Sequence, residues 1–193
     1  MTNASTTMIL DVGHFRDVSD RNVHLVRWCN DADNLEAVVH EAARSLDYHF
    51  AMLDGRSLRT QDDVLRTLDE AFHFPKWSRD PIVESWNGAR DWLGDLSWLI
   101  ASPSTRKGVV TLLRDPEPFM VANLLQCAVL IDALIMESQS VMRDRKRPVH
   151  VVVGPLPHDY WYECFLNLMS ASKHFCEACQ SVDCPCEECG KRP

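Results

Sequence analysis

Two β-branched and leucine runs, Val109 to Leu113 and Val149 to Val153, the second interrupted only by His150, constrain this chain more than any other feature. Successive side chains of a strand point to opposite faces, so a strand that is apolar throughout needs cover on both sides, as parallel strands flanked by helices have. A long helical pattern from about Phe119 to Arg143 lies between the two runs. A strand, helix and strand in that order close as a right-handed crossover into a parallel pair. Phe119 to Met136 is also long enough to suggest a membrane span, but it carries Asn123, Gln126 and Asp132. A central Asp costs about 3 kcal/mol on insertion scales, so a helix buried in protein is the better reading.

The preceding chain repeats the alternation. Val23 to Trp28 reads as a short strand, Asn30 to Asp33 as capping residues, and Leu35, Val38, Val39, Ala42, Ala43 and Leu46 as one face of a helix. Phe50 to Leu53 is the next strand, closed by the Asp54-Gly55 turn signal. Thr60 followed by Asp63 resembles a capping box, and Val64, Leu65, Leu68, Ala71 and Phe72 form a second apolar face that Pro75 stops. A third helix carries Trp86, Ala89, Leu93 and Leu96 inward, which puts Asn87, Asp91 and Asp95 on the opposite, solvent side.

The expected architecture is α/β: a small three- to four-stranded parallel sheet packed with helices, the N-terminal unit adding a parallel strand at one edge. Beyond Gly154-Pro155 and Pro157, the residues Trp161, Cys164, Phe165, Leu168 and Met169 predict a further helix covering the exposed side of the long one. The resulting division is a strand–helix extension over 1–47, a central domain over 48–154, a C-terminal helix over 155–175 and a Cys-rich tail over 176–193.

With 20 Lys and Arg against 28 Asp and Glu, the formal charge is −8. That balance argues against nucleic acid or an anionic membrane and favours a basic protein partner. The opening residues show no secretory pattern, so the 8 cysteines read as reduced thiols and the expected location is cytoplasmic. No dinucleotide or phosphate-binding glycine motif and no Gly-x-Ser-x-Gly occurs, and His40-Glu41-Ala42-Ala43-Arg44 lacks the second His of a zinc protease. The expectation is a binding protein, not an enzyme.

Two constellations remain. Asp80, Glu84, Asp91 and Asp95 fall within sixteen residues, a run that on spacing alone reads most simply as a solvated face. Cys176-x2-Cys179 and Cys186-x2-Cys189 can supply four thiolates to one tetrahedral zinc ion, the alternative being a tail of unligated thiols.

The succession Leu53-Asp54-Gly55, the helix from Thr60, Phe74-Pro75-Lys76-Trp77, and then Trp86-Asn87-Gly88-Ala89-Arg90-Asp91-Trp92-Leu93-Gly94-Asp95-Leu96-Ser97-Trp98-Leu99 resembles the barstar family of ribonuclease inhibitors. The resemblance covers roughly residues 48 to 154 and implies a three-stranded parallel sheet. It also implies a protein that plugs the active site of a basic secreted ribonuclease or related toxin with carboxylates standing in for RNA phosphates. On it, Asp91 matches the central acidic residue of the inhibitory helix and Trp77 falls in the aromatic loop before that helix, where interface anchors favour tryptophan. Arg90 takes a position where the family often has an aromatic or apolar residue, and Asn87 stands where it usually has a second Asp. The loop is about four residues longer than the family implies, which adds Asp80 and Glu84. The family's acidic contact on the last helix corresponds to Glu137 or Asp144. A zinc- or thiol-dependent interaction module is the alternative function, and a metal-dependent nuclease a more distant one.

Overall fold

The two β-branched runs form neighbouring strands. A computed structural model describes residues 15, 23–27, 34–75, 85–100, 106–145, 147–156, 175–176 and 181–182. In it β3 (Gly108–Arg114) lies parallel to β4 (Val149–Leu156), with Val110 opposite His150 and Leu112 opposite Val152. β2 (Tyr48–Asp54) pairs with the other side of β3, and β1 (Val23–Arg27) with the other side of β4. The order is β1-β4-β3-β2, and all four strands are parallel.

Cover on both faces explains why the central strands are apolar apart from Thr111 and His150, both of them buried. On one face α1 (Leu35–Leu46) packs Leu35, Val39, Ala42 and Ala43 on Tyr48, Val110, Leu112 and Val152, with Phe15 completing the cluster. The other face carries α2 (Gln61–Phe72), α3 (Trp86–Asp95), the short α4 (Ser97–Ile100) and α5 (Glu117–Arg145) over Leu53, Val109, Leu113, Val151 and Val153. The capping box of α2 is present: Asp63 N donates to Thr60 Oγ1 at 3.2 Å, and Thr60 N donates to Asp63 Oδ2 at 3.0 Å. α2 closes at Phe72, ahead of Pro75, because His73 turns left-handed at φ 51° and caps it.

Three features differ from the sequence expectation. The long helix is broken at Asn123, whose backbone is extended at φ −158° and whose Oδ1 accepts from Gln126 N at 3.2 Å. An asparagine that bonds the backbone three residues on caps a new helix start, so Leu124 begins a second segment. β4 runs through Gly154 and Pro155 to Leu156, so the expected C-terminal helix cannot begin at 155. Pairing of Leu156 with Arg27 continues the sheet, and β1 shifts register between Leu25 and Arg27, opposite the proline that has no N–H to offer. Finally, Phe175–Cys176 (β5) pairs antiparallel with Ser181–Val182 (β6), which places residue 175 in a strand and gives the tail a backbone ladder. The helix expected around Trp161 to Met169 lies outside the described residues.

By length and composition the stretch Glu117–Ser138 is apolar enough to cross a membrane, but it is broken at Asn123 and 44% of its 18-residue apolar window is buried in the protein. Its inward side, with Phe119, Cys127, Leu130, Ile131 and Leu134, is core, whereas Val121, Leu124 and Leu125 around the Asn123 break are exposed.

At the carboxyl ends of β2 and β3 an ion-pair cluster ties the layers together. Asp54 accepts from Arg56 Nη2 and from Arg114 Nη2, each at 2.8 Å, and Arg114 also pairs with Glu36 at the start of α1. The bonds from Arg56, reinforced by Arg114 against the opposing effect of burial, hold the Asp54 carboxyl well below the usual carboxylate range. A carboxylate depressed on folding contributes stability that is present above its unfolded pKa, near 3.8, and is lost as the pH falls below it. Asp54→Asn is expected to cost about 1.5 kcal/mol at pH 7, the lower end for a charged hydrogen-bonded group because the cluster meets solvent. Urea unfolding should show the gap between wild type and variant narrowing as the pH is lowered from 4. A gap of the same size at pH 7 and pH 2.5 would refute this account.

Candidate partner-binding site

α3 is held by its inner face. Ser85 caps it, its Oγ accepting from Gly88 N at 3.3 Å, and Ala89, Leu93 and Leu96 are buried beneath it. Behind it the rings of Phe72, Phe74, Trp92 and Trp98 form a continuous aromatic cluster with centroids 5.2–6.2 Å apart. Trp98 Nε1 donates to Phe72 O at 3.0 Å, which fastens α4 to the end of α2.

Along its other flank α3 runs beside the second segment of α5, joined by three cross-links in register. Trp86 Nε1 donates to Gln126 Oε1 at 2.8 Å. One turn on, Arg90 spans two carboxylates, with Nη2 2.5 Å from Asp132 Oδ2 and Nη1 3.6 Å from Glu137 Oε1. At Gly94 an added Cβ would stand 2.9 Å from Glu137 Oε2, so the glycine lets the Glu137 side chain lie across α3. Burial raises the Glu137 pKa above the ordinary 4.5. Arg90 opposes that rise, while Asp132 and Asp91 add to it. Asp91 is exposed on the rim of this seam, near enough for its charge to be felt at Glu137.

The structure thus brings Arg90, Asp91 and Glu137 together, as parts of one charged seam. Asn87 is exposed one turn before Asp91. Asp95 is half-buried at the junction of α3 and α4, where its Oδ2 accepts from Ser97 Oγ at 2.8 Å, so it is directed at the helix junction and not fully at solvent. Trp77, Asp80 and Glu84 lie outside the described residues, as do Cys179, Cys186 and Cys189, while Cys176 belongs to β5. Among the described residues no group of three or more His, Cys, Asp or Glu side chains is placed to hold a metal ion.

Asp132 is the seam residue that sequence reasoning missed. It registered only as a polar interruption of an apolar helix, although a lone carboxylate in such a helix needs either solvent or a cation. It has both: its side chain keeps 47% exposure at the helix edge, and Arg90 faces it from α3.

A three-layer α/β domain with a parallel sheet and an acidic seam between two helices of one face is the class that these features define. The family described as Barstar (barnase inhibitor) matches residues 48–154, which is more than half of the chain and includes β2 through the Gly154 end of the sheet, and the chain belongs to that family. No curated protein matches it. The matched region takes in β2, β3 and β4 as far as Gly154, and β1 with α1 lies ahead of it.

Proposed function

We propose that this protein binds a basic ribonuclease of the barnase class and blocks its active site with the exposed face of α3 and the neighbouring edge of α5. The observation that carries the reading is the juxtaposition of Asp91 with Glu137 and Asp132 on the seam of a barstar-family domain. Carboxylates gathered on a chain of net charge −8 draw a cationic partner in and repel RNA. In this reading Asp91 enters the phosphate-binding centre of the ribonuclease, Glu137 supports it, and Trp77, Asp80, Glu84, Asn87 and Asp95 are further contacts to the partner. The inhibitor works in the cytoplasm, where it protects the cell that makes the enzyme.

The test is a titration of barnase activity on RNA with the purified protein. Inhibition that reaches completion at one equivalent, with no cleavage of RNA by the protein alone, is the expected result. Undiminished barnase activity at micromolar inhibitor would sink the proposal, and metal-dependent cleavage by the protein itself would favour a nuclease.

A further inference from the structure

The seam carries its own cation, and its placement is uneven. Arg90 is tightly paired to Asp132 at 2.5 Å but stands 3.6 Å from Glu137, beyond hydrogen-bond length. Glu137 is the more enclosed of the two carboxylates, 22% exposed against 47% for Asp132, so it has less water to solvate its charge and the looser contact with the guanidinium. Gly94 leaves its Oε2 without a side chain above it on α3. One positive charge is therefore shared between Asp132 and Glu137 with Asp91 close by, and Glu137, the less tightly held of its two partners, lies next to the exposed rim.

We propose that Arg90 is a built-in counter-ion that bridges Asp132 and Glu137 in the free protein and releases Glu137, while keeping Asp132, when a cationic side chain of the bound ribonuclease arrives. This rests on the reading of the seam as a ribonuclease-binding face. Arg90 then governs which partners are accepted. A weakly basic surface does not displace it, whereas an active site built to hold phosphate presents enough positive charge to do so. In the free protein the same contact keeps three carboxylates from facing one another without a counter-charge.

The test uses barnase as the probe, with stopped-flow association, dissociation rates and carbon-13 titration of the Glu137 carboxyl. Arg90→Gln removes the competitor, so its association with barnase should be about fivefold faster and its complex correspondingly tighter. In the free variant Glu137 should titrate higher than in wild type. Arg90→Lys, which keeps the charge, should stay close to wild type. Asp132→Asn should act in the opposite direction, because Arg90 then settles wholly on Glu137: weaker binding and a lower Glu137 titration. The double variant Arg90→Gln with Asp132→Asn should lose most of that second effect, an interaction that two independent structural roles do not produce. Should Arg90→Gln not fold, Arg90→Met, which also removes the charge, decides by the same two readouts. If wild type inhibits barnase and Arg90→Gln binds equally or less well, or Glu137 titrates unchanged, the counter-ion role is overturned while the inhibitor reading stands. If wild type does not bind barnase, the inhibitor reading fails and the release of Glu137 fails with it.

Discussion

Phe74→Ala should destabilise the protein by about 3–5 kcal/mol, the cost of truncating a fully buried aromatic ring whose surroundings collapse only partly. Phe74 is 2% exposed and touches three other rings, Phe72 at 6.0 Å, Trp92 at 6.2 Å and Trp98 at 5.9 Å between centroids. Those rings come from α2, α3 and α4, so the cavity opens where three helices meet. α3 also carries Asp91 and Arg90, and loosening its inner support should therefore weaken partner binding without touching a contact residue. Chemical denaturation measures the first effect and barnase titration at a temperature where the variant is still folded measures the second. A loss below 1 kcal/mol would show that the cluster repacks without Phe74 and that α3 is held by Ala89, Leu93 and Leu96 alone.

Phe74 also marks how far the sequence could be read. Its place before Pro75 identifies it as part of a Pro-aromatic loop, and nothing local tells that its ring turns back into the core. Periodicity reports which side of a helix is apolar, so the faces of α1 and α2 and the inner side of α3 were legible. So were the Thr60–Asp63 capping box and the covered strands, because each depends on residues close in the chain. The aromatic cluster, the Arg90 bridge and the order β1-β4-β3-β2 depend on pairings between elements far apart in sequence, which no local pattern encodes. The break at Asn123 had a local signal, an asparagine within an apolar helix, but continuous hydrophobicity on both sides outweighed it. For the site, the acidic spacing on α3 identified Asp91, and the family resemblance supplied the reason to prefer a binding face over a solvated one. The resemblance left the acidic contact on the last helix between Glu137 and Asp144, and neither signal pointed to Asp132 or to the Arg90 bridge that joins it to Glu137.

Asp91→Ala should weaken the complex with barnase by about 2–5 kcal/mol, roughly 30-fold to several thousand-fold, mainly through faster dissociation. That range is set in part by the barnase–barstar complex itself. The argument is one of desolvation. Asp91 is exposed in the free protein, so removing it costs the fold little, but in the complex its carboxylate would be enclosed among cationic side chains that lose their partner on truncation. Asn87 supplies the complementary test, since it is exposed one helical turn earlier on α3, where the amide has the shape of a carboxylate without its charge. Asn87→Asp should tighten binding to barnase if both positions face the same cationic centre, and a ribonuclease that reads the amide would respond with weaker binding instead. Dissociation rates for the two variants decide between these geometries. An Asp91→Ala protein that dissociates from barnase as slowly as wild type would remove this face of α3 from the interface, leaving the edge of α5 to carry the contact alone.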